Sequence, residues 1–144
     1  MYVGGNPVND IDPLGLRALT ECEKGLLSPY IPKVDLDSAD LHDGEVPGYL
    51  RDEYAGITRG NNIYFRPGIY NTKSPDGLAL LAHELTHVGQ YREGMSWIGY
   101  LWSTRNGYKE SKYEKPAFAS ENRVLNDLIN GGYENPSGDC GCAK

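Results

Sequence analysis

The sequence predicts an α+β domain. Around residues 55–66, two short runs, Ala55-Gly-Ile-Thr-Arg59 and Ile63-Tyr-Phe-Arg66, flank Gly60-Asn61-Asn62. That is hairpin turn chemistry between β-prone residues. Further on, Leu78, Leu81, Ala82, Leu85 and Val88 recur at spacings of three and four, which makes one apolar stripe on a helix. The third observation is punctuation: 18 Gly and 9 Pro in 144 residues require many turns between the regular elements.

Taken in order, residues 1–16 hold Asn6-Pro7, Asp12-Pro13 and Leu14-Gly15 and read as turns with no packing of their own. Residues 17–48 read as irregular, because Pro29, Pro32 and Pro47 forbid long helices. The acidic run Asp35, Asp37, Asp40, Asp43 and Glu45 reads as a solvated loop. It fails the calcium-loop pattern, because Asp40 stands where a glycine is needed. After the hairpin, Ile69 and Tyr70 are expected to extend its second strand. Ser74-Pro75-Asp76 then supplies a cap, a first-turn proline and an acid near the positive helix end. No breaker follows until Gly89, and Gly94 marks a stop. Residues 95–108 are aromatic, with Trp97, Tyr100, Trp102 and Tyr108. A last helix is expected from Glu114 or Pro116 to Ile129, ended by Gly131-Gly132. Its buried face would hold Ala117, Val124, Leu125, Leu128 and Ile129. The working core spans about residues 50–133 of a unit 17–144.

Charge and composition exclude several function classes. With 14 basic and 20 acidic residues the chain carries −6. No Lys/Arg cluster offsets that, so nucleic acid is not an expected partner and a nuclease is disfavoured. The longest purely apolar run, Leu78 to Ala82, is far short of the roughly 20 residues of a membrane span. The start lacks the apolar stretch of a signal peptide, so the chain is expected to be made in the cytosol or to be part of something longer. Cys22 and the Cys140-x-Cys142 pair do not make a disulfide framework, and free thiols are expected, with a Cys22 pairing to the tail as the alternative.

The chemistry concentrates in His83-Glu84-Leu85-Thr86-His87, an H-E-x-x-H. On a helix, residues four apart project from one face, so both imidazoles can reach one metal at about 2.0–2.1 Å. Glu84 stands beside the metal and can take a proton from water. The hairpin just before the motif offers an edge strand that can align an extended substrate. A catalytic zinc site needs a third protein ligand. Gln90 and Glu93 occupy the Gly and His positions of the long metzincin motif, which excludes that class. Three candidates remain: His42, Glu121 and Glu114. Glu114 is favoured because it opens Glu114-Lys-Pro-Ala117, where the small Ala117 lets a second helix approach closely. Tyr108, Tyr113, Tyr133 and Arg123 are candidate oxyanion donors. Gln90, one turn past His87, is a candidate partner for that imidazole.

Two resemblances add to this reading. Tyr2, Asn6, Pro7, Asp12, Pro13, Gly15 and Leu16 resemble the end of the last repeat of an Rhs/YD-repeat core. The resemblance implies a large β-shell upstream, self-cleavage by aspartates that places a boundary at Leu16–Arg17, with Asp12 expected to be a relic in this fragment, and a toxin downstream. His83-Glu84-Leu85-Thr86-His87 followed by Glu114-Lys-Pro-Ala117 resembles the gluzincin class of metallopeptidases. More narrowly, Leu81 to Gln90 is similar to metallopeptidase domains of polymorphic toxins and of contractile-injection cargo. That implies a small zincin-like fold, a Zn2+ cofactor on His83, His87 and Glu114, and Glu84 as general base. Pro116 departs from the pattern, since many relatives hold an acid there. The implied activity is endopeptidase cleavage of a protein or peptide substrate by the toxic domain of an Rhs-type effector. The alternative is a catalytically weak zincin-fold module that binds a partner or serves delivery. The implied partner is a cognate immunity protein. The implied route is synthesis in the bacterial cytoplasm, export and delivery to a target cell.

Overall fold

Proline placement sets the first elements of the structure, a computed structural model that describes residues 16–134. Two short helices, α1 (Glu21–Leu27) and α2 (Lys33–Ser38), form on either side of Pro29 and Pro32. Thr20 caps α1 with a full capping box. Its hydroxyl accepts from the Glu23 N–H at 3.1 Å, and Glu23 Oε1 accepts from the Thr20 N–H at 2.8 Å. Two strands flank these helices, β1 (Leu16–Ala18) and β2 (Asp40–Asp43). The expectation of an irregular 17–48 therefore fails: the prolines limit helix length without preventing helices. The acidic run is not a solvated loop either. Asp35 is buried and takes two bonds from Arg92, at 2.7 and 3.0 Å, and Asp40–Asp43 is a strand.

The expected hairpin forms as β3 (Gly56–Arg59) and β4 (Asn62–Phe65), with Gly60 in the left-handed region at φ 62°. The sheet order is β1-β2-β4-β3. β1 and β2 are antiparallel, β2 and β4 parallel, β3 and β4 antiparallel. β3 is thus an edge strand among the described residues. The second strand does not extend to Ile69 and Tyr70. Arg66-Pro67-Gly68 makes a turn, and the proline has no N–H for a ladder. Tyr70 instead stacks on Phe65 at 5.3 Å and donates to the buried Glu23 at 2.5 Å.

Three helices follow: α3 (Pro75–Arg92), α4 (Trp97–Ser103) and, after a 3-10 turn at Tyr108–Glu110, α5 (Glu114–Asn130). α3 is the hub and packs chiefly against α5, with β3 and β4 on another side. Its first turn runs so close to the preceding loop that a Cβ on Gly77 would lie 1.8 Å from the Asn71 carbonyl oxygen. The apolar core joins sheet and helices through Leu27, Leu36, Leu41, Ile63, Phe65 and Leu81. Each such side chain contributes about 1.5–3 kcal/mol by leaving water. From α5, Ala117 and Val124 are fully buried, and Leu125 and Leu128 pack partly. Ile129 is 57% exposed, contrary to expectation. Five residues past Val124 it has turned about 140° away from the packed stripe.

Cys22 is disulfide-bonded, which corrects the expectation of a free thiol there. Cys140 and Cys142 lie outside the described residues. So do residues 1–15, with Asp12 and most of the Rhs-like segment. The expected Leu16–Arg17 junction falls inside β1, whose Leu16 faces His42 in the register. Among the described residues no helix is long and apolar enough to cross a membrane.

Candidate metal centre

α3 presents three polar residues to the protein interior. His83, Glu84 and His87 are 2%, 5% and 5% exposed. Burial of that much polarity on one helix requires partners. α5 supplies the main one. Glu114, its first residue, is 1% exposed, and its Oε1 lies 2.9 Å from His83 Nε2 and 3.2 Å from His87 Nε2. Ala117 is fully buried one turn later, and Phe118 meets the His83 ring edge-on at 4.6 Å. Pro116 is accommodated in the first turn of α5, where its missing N–H has no helical partner to lose.

The ligand-capable atoms of His83, His87 and Glu114 all lie within 4.8 Å of one another, so the three could hold a metal ion. Each imidazole is also held at its other nitrogen. His83 Nδ1 is 2.7 Å from Glu121 Oε1, and His87 Nδ1 is 2.8 Å from Gln90 Oε1. The Gln90 amide donates in turn to the Tyr113 carbonyl at 2.9 Å. Such partners fix ring orientation and turn both Nε2 atoms toward Glu114. Glu121 therefore sits behind His83 and not beside Glu114. His42 is elsewhere, on β2, stacked on Tyr64 at 4.2 Å and bonded to Asn62 and Glu45.

The protonation of this cluster follows from its packing. Burial pushes the His83 pKa down, but its bonds to Glu114 and Glu121 outweigh that and raise it to about 10. Burial likewise lowers His87, and the Glu114 bond raises it above its usual value overall. Burial pushes Glu114 up, while His83, His87 and Tyr100 hold it down at about 2. Without a metal, Glu114 is a carboxylate held between the two imidazole Nε2 atoms, and His83 is protonated. A divalent cation would take the place of that proton.

Glu84 stands apart from the triad. The Thr58 hydroxyl donates to its Oε1 at 2.6 Å, which ties it to edge strand β3. A cleft of about 220 Å³ opens here, lined by Thr58, Glu84, His87, Tyr100, Tyr108 and Glu114 among others. Of the four expected oxyanion donors only Tyr108 lines it. The Tyr133 hydroxyl donates to the Thr72 carbonyl, and Arg123 lies over Tyr30. Burial and then the nearby Glu114 carboxylate push the Tyr108 and Tyr100 hydroxyls far above the ordinary tyrosine value, so both stay protonated. Sequence reasoning missed Tyr100, which donates to Glu114 Oε2 at 2.5 Å, and Thr58. Neither carries a motif. Tyr100 is one of 11 tyrosines, and only the fold selects it.

The chain matches no curated protein and no solved structure. A family model described as the eCIS core domain, that of the extracellular contractile injection system, matches residues 33–95. That stretch runs from α2 to the end of α3 and its following turn; it includes His83, Glu84 and His87, while Glu114 lies beyond it. Over those residues the chain is similar to a domain of an injection system.

Proposed function

We propose that this chain is a zinc-dependent endopeptidase, the toxic effector domain of an Rhs-type secreted protein. The observation that carries the reading is the convergence of two buried imidazole Nε2 atoms and one buried carboxylate at the wall of an open cleft. Two nitrogens and one oxygen suit zinc, and three protein ligands leave a position for chemistry. His83, His87 and Glu114 would hold the ion. Bound there, it supplies a Lewis acid that polarises a carbonyl and lowers the pKa of water.

The protein's own groups supply the rest. Glu84 takes the proton of the attacking water on its carboxylate and returns it to the leaving amine. The Thr58 hydroxyl holds that carboxylate in place throughout. Tyr108, kept protonated, donates toward the oxygen on which charge develops. β3 offers a free sheet edge beside Glu84, along which an extended peptide can add as a strand.

The test is Glu84→Gln. It is expected to keep stoichiometric zinc by atomic spectroscopy and to lose proteolysis about 10²–10⁴-fold, together with toxicity. Full activity with zinc bound would sink the mechanism. A second reading draws on the injection-system similarity: the zincin-like domain would serve delivery and dock a partner without cleaving it. Stoichiometric zinc with no cleavage of any protein in a proteome would favour it. On the first reading a dedicated immunity protein covers the cleft, and the domain reaches a target cell by export.

A further inference from the structure

We infer that Tyr100 is a positioning residue of the metal centre: its hydroxyl occupies one oxygen of Glu114, so that the carboxylate offers an ion the other oxygen alone. The inference rests on the metal reading of His83, His87 and Glu114 above and deepens it. Glu114 is buried, and its two oxygens have different surroundings. Oε1 lies 2.9 Å from His83 Nε2 and 3.2 Å from His87 Nε2, within reach of both rings. Oε2 lies 3.2 Å from His87 Nε2 and accepts from the Tyr100 hydroxyl at 2.5 Å. Tyr108 also reaches this carboxylate, but the short bond belongs to Tyr100. The Tyr100 ring is itself fixed. It stacks on Trp97 at 5.6 Å and meets the His87 ring edge-on at 5.9 Å. Tyr100 stands on α4, a helix with no buried residue that lies between Gly94 and Gly107, both at positive φ (114° and 119°). A second polar tie of α4 is the contact of the Ser103 and Ser111 hydroxyls at 2.6 Å.

A carboxylate can give a metal one oxygen or both. The choice decides how much room is left for chemistry, because a catalytic zinc needs three protein ligands and an open fourth position. A hydroxyl donating to a carboxylate makes a short, charge-assisted bond. Here it satisfies Oε2, sets the plane of the group and leaves Oε1 to the ion. Without that donor a buried carboxylate oxygen would be left unpaired, and an ion beside it would be its natural partner. Both oxygens on the ion would crowd the open position. Glu121 and Gln90 orient the two imidazoles from behind. Tyr100 does the same for the carboxylate. It also lines the cleft, so the residue that fixes Glu114 belongs to the wall that a substrate would meet.

The experiment loads the metal-free full chain with Co2+, whose visible absorption is strong in four-coordinate sites and weak at higher coordination number. Zn2+ affinity is read in parallel by chelator competition. Wild type is compared with Tyr100→Phe, which keeps the ring and its stacking, and with Ser103→Ala, which loosens α4 and leaves the Tyr100 hydroxyl. Far-UV circular dichroism of the metal-free proteins is the folding control. Wild type is expected to give the strong four-coordinate spectrum. Tyr100→Phe is expected to weaken that absorption and to lower zinc affinity about 10–100-fold, and Ser103→Ala to change neither. A weak spectrum in wild type overturns the inference without recourse to any variant. An unchanged spectrum and affinity in Tyr100→Phe overturn it and leave the metal reading standing. Equal changes in Ser103→Ala also overturn it, because Tyr100 would then act only by holding α4. Wild type that takes up neither ion overturns the inference together with the metal reading. Proteolysis enters none of these readouts, so its loss or presence bears on the peptidase reading alone.

Discussion

His83 and His87 are each gripped at Nδ1, by Glu121 and Gln90, before any metal arrives. Orientation by a second partner costs the ligand little freedom on binding, and its loss typically weakens metal affinity 10–100-fold. Glu121→Ala is therefore expected to weaken zinc binding by roughly that factor in a chelator-competition titration. Glu114→Ala, which removes a proposed ligand, is expected to lose stoichiometric zinc altogether. An equal effect of the two variants would mean that their roles are misassigned. Thr58 acts on Glu84 in the same manner. Thr58→Val keeps the shape but removes the donor to Glu84 Oε1, and kcat should fall with KM nearly unchanged.

At the scale of elements, the site exists because α5 lies close against α3. Ala117 is the contact that permits this, fully buried one turn after Glu114. Ala117→Leu is expected to destabilise the fold by about 1–3 kcal/mol through overpacking. It should also lower zinc content, because pushing α5 away withdraws Glu114 from both imidazoles. A urea transition and a zinc assay on one sample check both effects. Gly77→Ala tests the other end of α3. Its Cβ would meet the Asn71 backbone, so it should destabilise without touching zinc stoichiometry in the folded fraction. The element pattern also shows where sequence periodicity has power. α3 and α5 run for 18 and 17 residues, enough turns for a stripe to repeat, and both were legible with their ends nearly right. α1 and α2, at seven and six residues, hold fewer than two turns each, so no period could develop. Their local signals are the Thr20 cap and the neighbouring prolines, and the prolines by themselves read as breakers.

Over the whole molecule, the buried cluster links stability to pH and to metal. In metal-free protein the His83 pKa is raised from 6.5 to about 10. The stabilisation it brings is complete below 6.5 and is lost as pH rises toward 10. Glu114 is lowered from 4.5 to about 2, so its share is complete above 4.5 and is lost as pH falls toward 2. Metal-free protein should thus unfold at the highest temperature between about pH 4.5 and 6.5. If the triad holds zinc, as proposed, the ion should reverse the trend on the alkaline side, because binding must displace imidazole protons and strengthens as they leave. At a free metal concentration about 100 times Kd, stabilisation should reach about 2.7 kcal/mol, and melting curves with and without a chelator measure it. A zinc-induced shift that does not grow from pH 6 to 8 would contradict this.

By itself the sequence determined a pair of histidines on one helix face and the elements that carry it. Two histidines four apart on a striped helix share a face whatever surrounds them, and Gly60-Asn61-Asn62 turns a hairpin from local backbone preference alone. Tertiary structure decided everything that depends on distant residues meeting. It put Glu114 on the Nε2 side of both imidazoles, Glu121 behind one of them and His42 against Tyr64. It also chose Tyr100, Tyr108 and Thr58 from among many equivalent side chains. Their chemistry is common to every Tyr and Thr in the chain, and only packing, which brings one helix or strand edge against another, gives one of them a place at the site.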